Sequence, residues 1–243
     1  MDSKKKVEKQ NKISVSWSGG KDSSFMLWKL LSNPEYEVVE LHTIINKDTE
    51  RVGLHGIHKS LIQAQSRSLG IPLRLIEIEA SSSNDKFEEA SRSYYRQLKS
   101  KGITHVAFGD IFLEDLKAYR DSLLAECDVA GVYPLWKNDT QLSALEFIDA
   151  GFKSIVCSCD KAKFNQTITG RLYDKELIQS FPTNVDPCGE NGEFHSFAFD
   201  GPIFKSPIQI EIGTIIEKSY NYKTSDGGAM ESRYAFCDFR LLG

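Results

Sequence analysis

The stretch Ile13-Ser14-Val15-Ser16-Trp17-Ser18-Gly19-Gly20-Lys21-Asp22-Ser23-Ser24 decides how this chain reads. Residues 13–17 form an apolar strand, Ser18-Gly19-Gly20 a tight turn, and residues 22–31 a helix. Glycine lets the backbone bend where a side chain would clash. The turn aims unpaired N–H groups at one point, and with the positive helix end and Lys21 they make an anion cradle. The anion expected there is a nucleotide phosphate. Two better-known phosphate motifs fail. A Walker A loop needs glycine where Val15 stands and Ser or Thr where Asp22 stands. The dinucleotide fingerprint G-x-G-x-x-G is also absent from this turn.

The motif Ser18-Gly19-Gly20-Lys21-Asp22-Ser23 after an N-terminal strand instead resembles the PP-loop of the ATP pyrophosphatase superfamily. That resemblance implies a loop holding the β- and γ-phosphates of ATP while the α-phosphate is attacked, with AMP and pyrophosphate as products. In that role Lys21 neutralises the departing pyrophosphate, and the Ser18 and Ser23 hydroxyls donate to phosphate oxygens. Asp22 is unusual in an anion site. It either favours the helix N-terminus or holds Mg²⁺ with the phosphates, and the metal role is preferred.

The rest of the first half alternates strand and helix. Strands are expected at 37–45, 73–78, 104–108 and 132–133. Helices are expected from Ile57, over 86–101 with caps in 81–85, and along Leu113, Leu116, Arg120, Leu123 and Cys127. Such alternation implies a parallel sheet with helices on both faces, whose ligands bind beyond the strand carboxyl ends. The glycine turn, Thr43 and Gly109-Asp110 all fall on that edge, and His55 follows the second strand. Asp110 also suits the cap of the helix that follows it.

After Pro134 the texture changes. Helices are expected at 140–150 and 174–180, and strands at 152–157, 196–199, 207–218 and 233–241, with a turn at Asp226-Gly227-Gly228. The expected division is a flexible basic tail over 1–12, a doubly wound ATP-binding domain over 13–134 and a smaller α+β domain over 135–243 that closes on the strand ends. Trp136 and Asp139 are candidates to line the cleft.

A second cluster lies in that later part: Gly189-Glu190-Asn191-Gly192-Glu193-Phe194-His195. Two carboxylates and a histidine surround two glycines just before an apolar strand. A rigid carboxylate pair suits a general base, a Mg²⁺ ligand or an ammonium-binding site, and His195, oriented by Glu193, would relay a proton.

Composition bounds the rest. The chain has 243 residues, 40% hydrophobic and 26% charged, with a net charge of −4, which argues against a broad nucleic-acid surface. No apolar run approaches the ~18–20 residues of a membrane span, and the lysine-rich start lacks the apolar region of a secretory signal. The five cysteines are odd in number and form no C-x-x-C pair, which fits a reducing cytoplasm. Cys157 is expected in a buried strand and Cys159 at its exposed end.

With both clusters in view, the chain resembles the diphthine–ammonia ligase family of PP-loop enzymes nearly end to end. The residues that carry the resemblance are Ser18-Gly19-Gly20-Lys21-Asp22-Ser23, the 63–72 run Gln-Ala-Gln-Ser-Arg-Ser-Leu-Gly-Ile-Pro, the Trp136 and Ala150-Gly151-Phe152 region, and Gly189-Glu190-Asn191-Gly192-Glu193-Phe194-His195-Ser196-Phe197. The resemblance implies a PP-loop (HUP-like) fold and an amide-forming reaction: ATP adenylates a carboxylate, ammonia displaces AMP, and Glu190 or Glu193 holds or deprotonates ammonium. The acceptor is then diphthine on elongation factor 2 or another carboxylate. Archaeal and eukaryotic members resemble Glu-Gly-Gly-Glu-Phe-Glu-Thr at the second motif, whereas this chain has Glu190-Asn191-Gly192-Glu193-Phe194-His195-Ser196, a pattern like a bacterial branch. Two other classes compete. One is a PP-loop enzyme acting on tRNA, which would want a basic surface and a cysteine pair. The other is an ATP-binding regulatory module without turnover, which would lack Glu190 and Glu193.

Overall fold

The computed structural model describes residues 10–79, 84–164, 166–223 and 229–242. Most of the expected tail, the caps at 81–83 and the turn at 226–228 lie outside the described residues.

The first half is a five-stranded sheet. Its strands are β1 (Asn11–Ser16), β2 (Tyr36–Asn46), β3 (Leu73–Ile78), β4 (His105–Ala107) and β5 (Ala130–Val132). The spatial order is β3-β2-β1-β4-β5, and every pair is parallel. The crossovers are α1 (Lys21–Leu31), α2 (Lys59–Leu69), α3 (Asn84–Ser100) and α4 (Glu114–Ala125). Ile13 and Val15 pack with Phe25, Met26, Leu61 and Ile62 of α1 and α2. Val106 and Phe108 pack with Tyr94, Leu98, Leu123 and Leu124 of α3 and α4. Helices therefore cover both faces, because a strand sends alternate side chains to opposite sides.

One helix starts later than its apolar spacing suggests. Ile57 is buried in the core but precedes α2, which begins at Lys59 with His58 as N-cap. The 51–58 segment is closed instead by short-range bonds, Val52 N–H to Ile57 O and Gly56 N–H to Val52 O, both 2.8 Å. That loop carries His55.

The second half adds α5 (Thr140–Asp149), β6 (Lys153–Asp160), α6 (Lys175–Gln179), β7 (Phe194–Asp200), β8 (Ile210–Lys223) and β9 (Ala229–Leu241). Its sheet has the order β7-β6-β9-β8 and is antiparallel throughout. β6 runs three residues further than expected, so Cys159 is 2% exposed and sits 3.0 Å from Thr169 Oγ1, not at an exposed strand end. Among the described residues no helix is long and apolar enough to cross a membrane.

The two sheets share one apolar core, which runs from Val15 and Leu27 to Val156, Phe197 and Phe239. Hydrogen bonds join them at the glycine turn. Ala198 N–H donates to Gly19 O (2.9 Å), and Lys21 N–H donates to Ser196 Oγ (3.1 Å). Gln65 of α2, fully buried, completes the seam. Its Nε2 donates to Gly19 O (2.9 Å) and Ala198 O (2.6 Å), and its Oε1 accepts from Trp17 Nε1 (2.9 Å). Gly19 has φ +82°, and a Cβ there would lie 2.6 Å from Ile62 Cδ1, so both conformation and space require glycine.

Gln65→Ala is expected to leave Trp17 Nε1 and Ala198 O buried without partners, at a cost of about 3 kcal/mol. Urea unfolding measures it.

Candidate functional site

β1 ends at Ser16 and α1 begins at Lys21, so the turn between them sits on the carboxyl edge of the sheet. Gly20 is the N-cap of α1 and supplies no side-chain cap. Ser18 Oγ accepts from Gly20 N–H (3.2 Å), and Ser23 Oγ donates to Gly20 O (3.0 Å). The N–H groups of Asp22 and Ser23 have no recorded partner among the described residues. They are the orphan donors of a helix start.

A cleft of about 440 Å³ opens over this turn. Ser18, Asp22, Ser23, His55, Gly109, Asp110, Glu190 and His195 line it, with Arg120, Asn191 and Phe108. Both sequence clusters thus meet in one place. The seam explains why: β7 is bonded to the glycine turn, and the second cluster is the loop that leads into β7.

Five expected site residues do not line the cleft. Gly19 and Gly20 are packed beneath it, Gly20 against His55 and Ser18. Thr43 is buried, and its hydroxyl donates to Trp17 O at 2.6 Å, a contact that ties β2 to β1. Lys21 is 3% exposed and points inward. Its Nζ donates to both Asp22 oxygens (2.8 Å each) and to Cys188 O, and lies 5.2 Å from the Phe194 ring centroid. Burial alone would lower the pKa of Lys21, but the Asp22 carboxylate, with smaller help from Cys188 and Glu190, outweighs it and raises the group. Its ammonium therefore joins α1 to the second cluster and does not face the cleft directly.

Glu193 also turns inward. It is 2% exposed, and its Oε1 accepts from Asp186 N–H (3.1 Å) and Asn191 Nδ2 (3.0 Å). It braces the loop and does not orient His195: its Oε2 and His195 Nε2 are both buried without a partner among the described residues. Asp186 Oδ1 adds bonds from Cys188 N–H (2.8 Å) and Glu190 N–H (3.3 Å). Gly189, at φ +68°, leaves no room for a Cβ, which would lie 2.8 Å from Phe194 O.

Glu190 faces the cleft. Its Oε1 accepts from Ile111 N–H (2.6 Å) and Phe112 N–H (3.3 Å). Burial pushes its carboxyl up to about 7; the two N–H bonds and Lys21 oppose that rise, and the nearby Asp22 charge adds to it. Asp110 does not cap the following helix, whose N-cap is Leu113. It meets Arg120 instead. Nη2 donates to Oδ1 at 3.2 Å, and Nε lies 2.9 Å from Oδ2 without hydrogen-bond alignment. Burial raises the Asp110 pKa against the pull of Arg120. Asp139 caps α5 through Leu142 N–H (2.8 Å), and Trp136 packs on Tyr133; neither lines the cleft.

In the sequence Arg120 stands only as one member of the α4 stripe. A cation at an inward helix position was the available signal, and here its guanidinium lies 4.4 Å from the Phe108 ring centroid at the cleft wall. The His55 and His195 rings lie against each other, tilted, with centroids 4.4 Å apart. Burial lowers both, His195 to about 4, and Lys21 adds to the shift in each. All five cysteines are free and buried, and none lines the cleft.

The chain is similar to several known proteins. The chain is similar to a Danio rerio protein named diphthine–ammonia ligase, 22% identical over 217 residues, 80% of this chain and 84% of that protein. A Schizosaccharomyces pombe protein of the same name is 23% identical over 221 residues, 83% of this chain but 36% of that longer protein. Among solved structures, the U34-tRNA thiolase NcsA of Methanococcus maripaludis overlaps 59% of each chain, at 16% identity and a TM-score of 0.37. The diphthamide synthase N-terminal domain matches residues 11–132, its C-terminal domain matches residues 139–231, and the chain belongs to the diphthamide synthase family.

Proposed function

We propose that this chain is an ATP-dependent, amide-forming ligase of the diphthine–ammonia ligase type. ATP binds with its phosphates at residues 18–23 and adenylates an acceptor carboxylate. That step breaks the bond between the α- and β-phosphates with pyrophosphate as leaving group, and ammonia then displaces AMP. Carboxylate and ammonia do not condense in water without such activation. The observation that carries the reading is the seam at Gly19 and Lys21: hydrogen bonds from Ala198 and to Ser196 bring an anion-binding helix start and an acidic loop to one cleft. The curated relatives' shared name supports the reaction type.

Three groups have distinct roles in this reading. The Asp22 and Ser23 N–H groups and the Ser18 and Ser23 hydroxyls receive phosphate oxygens. Glu190, with its carboxyl pushed up to about 7, takes a proton from ammonium and so frees the ammonia that attacks the acyl adenylate. Lys21 holds Asp22 and Cys188 O together, so it acts on the cleft by positioning its wall. The 13–134 and 135–243 parts then divide the work, nucleotide on the first and acceptor closure on the second. The lack of any cysteine on the cleft weighs against a thiolation chemistry.

Mg²⁺ would be held at Asp22, a cleft residue whose two carboxylate oxygens also accept from Lys21 Nζ, in company with the nucleotide's own oxygens. Among the described residues no three His, Cys, Asp or Glu side chains are grouped for a metal, and Mg²⁺ bound through one or two carboxylates plus phosphates needs no such group. When bound it would supply neutralising charge to the departing pyrophosphate.

Phosphorus NMR of ATP with Mg²⁺, ammonium and trimethylated-histidine elongation factor tests the reaction. AMP and pyrophosphate formed with that acceptor are expected. The same products without it would retain the chemistry and replace the acceptor, whereas ADP and phosphate would overturn the mechanism.

Glu190→Gln is expected to lower amide formation by about 100-fold and to abolish the rise of kcat through pH 7. Stability should move with it. The folded carboxyl sits above its ordinary 4.5, so ionisation destabilises the fold progressively from pH 4.5 to about 7. Urea unfolding should therefore find the variant gaining on the parent as pH rises through that window.

A further inference from the structure

The adjoining histidines are more than the ligase reading requires. His55 comes from the loop before α2, and His195 from β7 in the other sheet. Their rings are tilted by 32° with centroids 4.4 Å apart, and both line the cleft. Neither imidazole has a recorded hydrogen bond among the described residues. His195 Nε2 is closed off from solvent and unpartnered. His55 Nε2 lies 3.2 Å, and Ser18 Oγ 3.3 Å, from where a Cβ on Gly20 would stand. His55 Nε2 therefore overhangs the start of α1, beside the unpaired N–H groups of Asp22 and Ser23. Among the described residues it has no protein partner there, and a ligand oxygen that meets it supplies one. The positive helix end and the Lys21 charge select an anion for that oxygen.

We propose that the His55–His195 pair is the subsite for the terminal phosphates of the nucleotide, and that it takes up one proton from solvent when this polyphosphate binds and returns it when pyrophosphate leaves. The proposal rests on the ATP reading above.

The charges around the pair set the direction. Lys21 and Asp22 on α1 pair with each other, as do Asp110 and Arg120 across the cleft. Glu190 is held by Ile111 N–H, Glu193 faces Asp186, and Arg51 on the His55 loop pairs with Asp238 of β9. With no anion present, burial keeps both rings neutral, and the Lys21 field reinforces this. A polyphosphate against the rings reverses the local field and raises their affinity for a proton. Two imidazolium rings at this separation repel, so the pair takes one proton as a unit. Pyrophosphate thus binds tighter as pH falls, and it is released with loss of the proton.

Calorimetry in two buffers of different ionisation enthalpy tests this. Pyrophosphate and a non-hydrolysable ATP analogue, each with Mg²⁺, are titrated into the parent, His55→Gln and His195→Gln at pH 6.5. The parent is expected to take up about half a proton more than either variant, and its affinity should gain about tenfold more between pH 8 and pH 6. Two variants at different sites, each checked by thermal melting, separate this effect from misfolding. Equal proton uptake in all three proteins overturns the pair's role and leaves the ATP reading standing. A folded parent that binds neither ligand overturns both.

Discussion

Hydrogen bonds between β7 and a glycine turn hold the two sheets in register with each other. Gly19 O receives Ala198 N–H and Gln65 Nε2, while Ser196 Oγ receives Lys21 N–H. The turn needs a left-handed residue at Gly19, a conformation only glycine adopts readily in that space. Once β7 is fixed there, the loop before it has nowhere to go but over the start of α1. Glu190 and His195 then face Asp22 and Ser18 across the same cleft. The site is a consequence of how the sheets join.

The electrostatics follow from burial. Lys21 is an ammonium inside the protein, and a bare charge there would be costly. Asp22 and the Cys188 carbonyl compensate it, which couples the first motif to the second. On the cleft wall the same burial drives two kinds of group apart. Glu190 rises to about 7 and His195 falls to about 4. A carboxyl near neutrality next to neutral imidazoles is an arrangement suited to moving protons at physiological pH.

Local patterns made much of the fold legible. β3 spans 73–78 as its apolar run and flanking Gly70 and Pro72 imply, and strand–helix alternation carries the parallel order. The convergence of the glycine turn, Gly109 and Asp110 on one edge follows from that topology, whereas the late acidic loop reaches the edge through the seam. What the residues alone do not disclose is which way a side chain turns. Lys21 and Glu193 look like cleft residues by type, but Cys188 O and Asp186 N–H, distant or folded back in the chain, draw them inward. Asp110 resembles a helix cap until Arg120, ten residues on, takes its carboxylate. The length of β6 was hidden similarly, because Cys159 is covered by Thr169 from a later loop. These are tertiary contacts, and periodicity carries no information about them.

The central claim is that residues 18–23 and 188–198 are one nucleotide-binding unit. Amide hydrogen exchange with and without a non-hydrolysable ATP analogue tests it most directly. The account predicts that both segments gain protection together at the same analogue concentration. Protection confined to residues 18–23, with 188–198 exchanging as before, would contradict it.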